Sequence, residues 1–384
     1  MKVLFVNHTS SVSGGERSLL TAVDALREQL EICAACPPGP LADEFAARGI
    51  EVRPITSTAG SLRLHPLHTP RALYELARAG LEVRGQAAAV GADVVHANSI
   101  RAGIACAALS SPPALVHVRD CLPPGPATTA TMRLISRRAD AIVANSSYTA
   151  RSVSAAAPAA HPQVIFNPVD LARFDPALFD RGRERAALGY SGDAPFLIAL
   201  VAQLTPWKGQ LTMIEALSIL RREGVDCELL LAGAAVFTSS ATRYDNVAYE
   251  LELRRRAEAL GLTDKVRFLG EVADVPALLS AVDALALPSR EEPFGRALIE
   301  AMAMGLPLMA TNVGGPPEFV REGIDGFLLD PAQPEAWASA AARLAREPAL
   351  WARMAAEGRP RALEMFSPQR HAASLMDVYR RIAA

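Results

Sequence analysis

The chain has 384 residues, a formal net charge of −2 at pH 7, half of its residues hydrophobic and 21% charged. This length suggests two or three domains with large cores, and the composition is typical of a soluble globular protein. The near-neutral charge excludes a general electrostatic attraction to nucleic acid or to anionic membranes. No apolar run reaches the ~20 residues of a membrane span, and the first residues lack a signal-peptide layout, so we expect a cytoplasmic protein.

Short apolar runs alternate with longer helical patterns along the whole chain. The runs are 3–6, 93–97, 114–118, 141–144, 164–166, 196–202, 228–232, 266–269, 284–287, 308–310 and 327–329. This alternation predicts βαβ units around parallel sheets. The order breaks where turn-forming and charged residues cluster, so we place a linker between two domains at 169–195.

The five cysteines do not predict a disulfide framework, because their number is odd and the chain is long. Cys33 and Cys36 have the spacing of a redox or zinc site, but a second pair and a following helix are missing. We interpret both as small residues of a strand.

The turn after the first predicted strand contains Gly14 and Gly15 and leads into a helix that we expect from about Arg17. Paired glycines before a helix let backbone amides approach a phosphate closely. The spacing is not Gly-x-Gly-x-x-Gly, so the dinucleotide fingerprint is absent. A plain strand-to-helix turn is the alternative.

Residues 60–84 form a basic segment with four arginines, two histidines and two acids. Leu73, Leu76, Ala77 and Leu81 have helical spacing, which predicts a basic amphipathic helix. Such a helix either covers a core with a solvated outer face or binds an anionic acceptor or membrane headgroups.

Polar residues stand at the carboxyl ends of two predicted strands: His96 and Asn98 at the end of 93–97, and His117 and Arg119 at the end of 114–118. Ligands of open α/β sheets bind at that edge. A histidine at a strand end is either a structural residue or a ligand contact, and both interpretations stay open here.

The stretch 291–305 contains a loop at Gly295 followed by a helix that ends at Gly305. The helix is apolar on every side, which predicts that it is buried all round. Glu300 is the one acid inside it. It either pairs with Arg296 one turn earlier or holds a pair of ligand hydroxyls.

Glu292 and Glu300, with Phe294-Gly295 between them and 301–303 after them, resemble the signature of retaining family 4 glycosyltransferases, which have the GT-B fold. Further elements follow in the order of that family: 200–210 with Lys208, 266–270 followed by Val272, 284–289, 311–318, 325–331, and a last helix at about 368–383.

The resemblance implies an α/β GT-B fold, with two Rossmann-like domains whose parallel sheets face a central cleft. Residues 1–168 would be the acceptor domain and residues 196–367 the nucleotide-sugar donor domain. The C-terminal helix, 368–384, would cross back onto the first domain.

The implied reaction moves a sugar, with retention of configuration, from a nucleotide diphosphate donor to a hydroxyl acceptor. We expect UDP rather than GDP in the donor, and a lipid-linked or cell-envelope glycan, or else a small molecule, as acceptor. No cofactor, metal or nucleic acid is implied beyond the nucleotide sugar, and peripheral membrane association is an option. A sugar-nucleotide 2-epimerase and a non-catalytic sugar-nucleotide-binding protein are the alternatives.

The resemblance also implies the site residues. Glu292, Lys208 and His117 would be catalytic, with His117 near the donor sugar. The donor would contact Gly14, Gly15, Gln203, Lys208, Val272, Phe294, Gly295, Arg296 and Glu300. Lys208 would neutralise the diphosphate, Glu300 would hold the ribose, and Glu292 with the backbone of Phe294 and Gly295 would position the sugar.

The sequence departs from the family at Gln203. Relatives commonly have an arginine there, five residues before the lysine, and both cations hold the diphosphate. Glutamine donates hydrogen bonds but carries no charge, so half of the cationic clamp is missing. We expect weaker donor binding, unless another residue, for which Arg296 is the candidate, supplies the charge.

Overall fold

The computed structural model describes residues 1–58, 68–121, 123–192, 194–236 and 244–384. The chain forms two compact units: Met1–Pro168 together with Pro368–Ala384, and Val169–Ser367. Each unit contains one parallel sheet with helices packed against it. The predicted α/β class with two Rossmann-like domains is confirmed.

The N-terminal unit is built on seven strands. They are β1 (Lys2–Val6), β2 (Glu31–Cys36), β3 (Glu51–Pro54), β4 (Val94–Ala97), β5 (Ala114–Val118), β6 (Ala141–Ala144) and β7 (Gln163–Val164). The helices are α1 (Gly14–Leu26), α2 (Pro40–Ala47), α3 (His68–Val90), α4 (Ile100–Cys106), α5 (Pro126–Arg138), α6 (Ser147–Ala156) and, from the end of the chain, α14 (Pro368–Ala383). The strand order is β3-β2-β1-β4-β5-β6-β7.

The C-terminal unit is built on six strands. They are β8 (Phe196–Val201), β9 (Cys227–Ala232), β10 (Val266–Gly270), β11 (Ala284–Leu287), β12 (Leu308–Thr311) and β13 (Gly326–Leu329). The helices are α7 (Arg181–Ala187), which lies within the segment interpreted as a linker, α8 (Gln210–Arg222), α9 (Asn246–Ala259), α10 (Val275–Ala281), α11 (Arg296–Ala303), α12 (Pro334–Arg346) and α13 (Pro348–Met365). The strand order is β10-β9-β8-β11-β12-β13.

Both faces of each sheet are buried, which explains why the strands read as continuous apolar runs. In β1, Val3 and Phe5 face one core and Leu4 and Val6 face the other. The first of these cores also contains apolar residues of α14, among them Tyr379. Successive side chains of a strand point to opposite faces, so a strand inside a two-sided core must be apolar throughout.

Each predicted apolar run overlaps a strand, but β3 was not predicted, and β2 was predicted only through Cys33 and Cys36. β3 is a short edge strand that ends in proline and has little apolar content, so its pattern is weak. In β2, Cys33 and Cys36 are buried strand residues, as interpreted, and they pack against opposite faces of the sheet.

The strand order of each sheet reverses once along the chain. In the N-terminal unit this happens between β1 and β4, and in the C-terminal unit between β8 and β11. The loops that leave the carboxyl ends of those strands border a crevice, where open α/β sheets bind their ligands. These two crevices are therefore the places to look for functional residues.

Candidate functional site

Lys208 lies at the β8/β11 crevice, in a short 3₁₀ turn, Pro206–Lys208, on the loop after β8. The next residue, Gly209, has φ 74° and precedes α8. A Cβ atom on Gly209 would lie 2.0 Å from the carbonyl oxygen of Pro288, in the loop after β11. Glycine therefore allows the two loops to touch where the lysine is placed.

Glu292 follows β11 and is only 5% exposed. Its Oε2 accepts hydrogen bonds from Lys208 Nζ at 2.7 Å and from Ser289 Oγ at 2.8 Å. The Lys208 ammonium also lies 4.0 Å from the centre of the Trp207 ring. A buried carboxylate needs such partners to offset its lost hydration. The structure thus joins two of the predicted catalytic residues in one charged pair.

The backbone of Glu292 is held by the loop after β12. Its carbonyl oxygen accepts a hydrogen bond of 2.8 Å from the amide of Gly315. A Cβ atom on Gly314, where φ is +95°, would lie 2.0 Å from the same oxygen. Next along the chain, the buried Phe294 packs its ring against Phe319, with the ring centroids 5.3 Å apart. These contacts fix the segment that presents the Glu292 carboxylate.

The helix that carries Glu300 is α11. Gly295 precedes it with φ 99°, and every residue from Leu298 to Ala303 is buried. The prediction of a helix buried all round is confirmed for these turns. A hydrogen bond and ion pair join Arg296 Nη2 to Glu300 Oε1, with the two side chains 18% and 10% exposed. The i,i+4 pair considered from the sequence is therefore present.

Gln203 and Val272 lie at different distances from the crevice along the sheet edge. Gln203 is half-buried in the loop after β8, and its carbonyl oxygen accepts a hydrogen bond of 2.8 Å from Gln210 Nε2. Val272 is half-buried after β10, which β9 separates from β8. The structure brings Gln203 onto the same loop as Lys208 and places Val272 two strands away.

Gly14 and Gly15 lie in the first turn of α1, which begins three residues before the predicted Arg17. The end of this helix is closed by a capping box, in which the Ser13 amide donates to Glu16 Oε2 at 3.1 Å. A Cβ atom on Gly15 would lie 3.4 Å from Cδ of Arg119. In the turn expected to face a phosphate, the Glu16 carboxylate thus already bonds to the amide of Ser13.

A buried polar network, not predicted from the sequence, fills the β1/β4 crevice of the N-terminal unit. Asn7 Nδ2 donates to Glu16 at 3.2 Å, Asn98 Nδ2 donates to Asn7 at 3.0 Å, and Arg119 Nε donates to Asn98 at 2.9 Å. Arg119 also donates to the side chain of Asn167. The only sequence signal was the position of Asn98 and Arg119 at strand ends.

His117 lies in the interior of the N-terminal unit, with none of its surface exposed. Its ring stacks with those of His96 and His371, at centroid distances of 5.5 and 6.1 Å. Its Nδ1 lies 3.3 Å from Nη2 of Arg119. Burial, followed by the Arg119 charge, lowers the pKa of His117 well below its ordinary value, so the imidazole is neutral.

The basic segment expected to form an amphipathic helix is described only from residue 68, where α3 begins, and residues 60–67 lie outside the described ranges. Leu76 and Val83 are buried, whereas Leu73 and Leu81 are 60% and 69% exposed. The predicted helix is therefore present from residue 68, but of the four apolar positions only Leu76 is buried. A second face of α3, richer in small residues, has the same helical spacing, and it is this face that is buried.

The charges of α3 are largely paired within the helix: Arg71 with Glu75 and Arg78 with Glu82, each at 2.8 Å. Over the ranges that the structure describes, no helix has both the length and the hydropathy to cross a membrane.

The chain has two Rossmann-like units, and a lysine–glutamate pair lies at the strand-order reversal of the second. Together these features define an α/β protein of the GT-B class. Family models match both units. The model described as "Glycosyltransferase Family 4" matches residues 12–173, and that described as "Glycosyl transferases group 1" matches residues 181–361. The chain belongs to the family 4 glycosyltransferases, as the signature around Glu292 predicted.

Individual relatives agree with this assignment. A D-inositol 3-phosphate glycosyltransferase of Salinispora tropica is 36% identical over 226 residues, which cover 56% of this chain and 45% of the relative. The lipopolysaccharide core biosynthesis mannosyltransferase LpsB of Rhizobium meliloti is 29% identical over 253 residues, covering 65% of this chain and 68% of the relative. The match to the first relative thus spans less than half of that protein's length.

Among solved structures, Anabaena Alr3699/HepE in complex with UDP and glucose superimposes with a TM-score of 0.84 at 26% identity, covering 99% of both chains.

Proposed function

We propose that this protein transfers a sugar from a nucleotide diphosphate donor to a hydroxyl acceptor, with retention of anomeric configuration. The observation that carries the proposal is the Lys208–Glu292 pair at the β8/β11 crevice, 2.7 Å between Nζ and Oε2. A cation beside a fixed carboxylate at that edge suits a ligand that has both a diphosphate and sugar hydroxyls.

In the proposed reaction, the bond between the anomeric carbon and the diphosphate oxygen breaks, and a bond to the acceptor oxygen forms on the same face. The nucleoside diphosphate leaves with the bonding electrons, and its departing oxygen takes the proton that the acceptor hydroxyl loses. Lys208 has three N–H donors, of which one is used by Glu292. The others would stabilise the charge that develops on the leaving oxygen.

The remaining donor contacts follow from the described loops. We assign the Glu292 carboxylate and the backbone of Phe294 and Gly295 to the sugar hydroxyls, and Glu300 to the ribose. The backbone N–H groups in the first turn of α11 form the positive end of the helix dipole. They would also face the negative charge of the donor. Uridine is the proposed base, with guanosine next, because the similar HepE structure contains UDP.

We propose that the N-terminal unit binds the acceptor, a lipid-linked or cell-envelope glycan. The similarity to a lipopolysaccharide mannosyltransferase supports this class, and a small polyol phosphate is the second candidate because another relative is named for one. We also propose that Gly14 and Gly15 contact the donor and that His117 lies near its sugar. Exposed Leu73 and Leu81 of α3 favour peripheral membrane association, which sedimentation with anionic vesicles would test.

Thermal unfolding with UDP, GDP, ADP and NAD added separately tests the proposal. A ligand at a hundred times its dissociation constant adds about 2.7 kcal/mol of stability, enough to raise the midpoint by several degrees. We expect a shift with UDP or GDP and none with NAD. A shift with none of the nucleoside diphosphates would contradict the proposal. Product analysis with the matching nucleotide sugar then separates transfer from 2-epimerisation and from binding without turnover.

A further inference from the structure

In each of the two ion pairs described at the β8/β11 crevice, the carboxylate neutralises the cation. Lys208 pairs with Glu292, and Arg296 pairs with Glu300. A diphosphate adds negative charge, which phosphate sites balance with cations and amides. Gln203 contributes no charge, so these residues leave the proposed donor without a net positive partner.

Arg290 lies on the loop after β11, where this loop touches the loop after β8. Its backbone amide donates a hydrogen bond of 2.8 Å to the carbonyl oxygen of Trp207, the residue before Lys208. It also directly follows Ser289, which donates to Glu292. The side chain is exposed, and across the described ranges no ion pair involves it. Arg290 thus places a positive charge outside the described ion pairs beside the Lys208 turn.

Tyr249 indicates where that charge acts. Burial raises the pKa of Tyr249 to about 12; the negative charge of Glu252 also raises it, and the positive charge of Arg290 lowers it. The Tyr249 hydroxyl lies 3.4 Å from the amide nitrogen of Leu211, in the first turn of α8. That turn contains no acid, and Gly209 before it supplies no side-chain cap. The guanidinium therefore acts at the end of α8 that directly follows Lys208.

We propose that Arg290 binds the donor's diphosphate and supplies the second positive charge that Gln203 lacks. The assignment deepens the proposed function and rests on it. A guanidinium can donate two parallel hydrogen bonds to phosphate oxygens, whereas an ammonium acts as a point charge. The clamp of one lysine and one arginine is then complete, with its arginine on the loop after β11 instead of the loop after β8.

Calorimetric titration of UDP and of uridine, with GDP and guanosine if UDP does not bind, tests this assignment. Arg290→Ala should weaken diphosphate binding about tenfold or more and leave nucleoside binding unchanged. Arg290→Lys should retain part of the affinity. Adding Gln203→Arg to Arg290→Ala should restore the affinity to within about threefold of wild type, because the charge returns from the other loop.

Arg353→Ala is the matched control, since Arg353 is an exposed arginine on α13 without an ion pair in the described chain. It should bind both ligands as wild type does. If wild type binds a nucleoside diphosphate and Arg290→Ala binds it equally well, the Arg290 assignment is wrong while the proposed function stands. Equal loss for nucleoside and diphosphate would also overturn it. If wild type binds no nucleoside diphosphate, the proposed function itself fails.

Discussion

The β1/β4 crevice of the N-terminal unit and the β8/β11 crevice of the C-terminal unit occupy the same position in two similar sheets. In the first, asparagines link Glu16 to Arg119 through hydrogen bonds, and all of these side chains are buried. In the second, Lys208 is partly exposed beside Glu292, and Arg290 is exposed. One crevice is closed by its own polar groups, and the other keeps cations at its rim.

The polar groups of the two crevices serve different purposes. A network whose members bond to each other stabilises a particular arrangement and leaves little capacity for a ligand. A cation with unused donors at the end of a strand can still bind an anion. We therefore expect changes at the first crevice to act on stability and changes at the second to act on ligand binding.

Acid should destabilise the N-terminal unit selectively, because all seven histidines lie outside 169–367. Burial, mainly, lowers the pKa of His371 to about 3 and that of His8 to about 4, and shifts those of His96 and His117 downward as well. An unfolded histidine has a pKa of about 6.5, so the unfolded state binds more protons below that pH. Stability is complete above pH 6.5 and falls as the pH drops toward 3, by about 2 kcal/mol at pH 5 for His371 alone.

Hydrogen exchange at pH 7.5 and pH 5 would measure this loss in the N-terminal unit. Tryptophan fluorescence reports the other unit, because Trp207, Trp337 and Trp351 all lie there. His371→Gln should reduce the loss, and the control His161→Gln, at an exposed histidine, should not. Equal acid sensitivity of both units would show that buried histidines do not set the difference.

Lys208→Ala should lower the transfer rate by about 10²-fold or more, equivalent to about 2.7 kcal/mol, because the leaving diphosphate loses a cation. Lys265→Ala is the matched control, since Lys265 pairs with Asp226 at the opposite edge of the same sheet. Steady-state rates with the donor identified by thermal unfolding give the comparison. A near-normal rate for Lys208→Ala would remove the lysine from the site.

The sequence predicted the α11 region well and the loop contacts poorly, for physical reasons. A helix apolar on every side can only be buried, so the environment of Glu300 followed from its neighbours in the chain. The Lys208–Glu292 contact joins residues 84 positions apart and depends on β8 lying next to β11. Local patterns do not specify that neighbour relation, although Gly209 and Gly314 mark the close approaches once the sheet order is known.

The N-terminal crevice was harder still to predict. In β5 both faces are buried, so alternation along the strand does not tell which strand-end side chain joins the polar network of the crevice. The family resemblance pointed to His117, whereas the residue that bonds to Asn98 is Arg119, two positions later, and both side chains are buried. The capping box of α1 has only one sign in the sequence, Ser13 followed three residues later by Glu16. The paired glycines between them were the stronger pattern and suggested a phosphate-binding turn instead.

The smallest expected effect concerns Glu300, whose side chain has a structural partner and a proposed ligand. Glu300→Gln keeps the size of the side chain but removes the charge that Arg296 contacts. If the carboxylate also holds the ribose hydroxyls, the affinity for UDP and for uridine should both fall, by about tenfold, because charged acceptors bond more strongly than neutral ones. Titration gives the affinities, and thermal unfolding without ligand gives the structural cost.

Arg296→Ala is the companion variant, since it breaks the same ion pair but keeps the carboxylate. Loss of affinity in Glu300→Gln beyond that in Arg296→Ala would assign the carboxylate to the ligand. Equal affinities in the two variants and wild type, with a lowered melting temperature, would leave Glu300 with its ion pair alone and make α11 a structural helix at a site built from the loops.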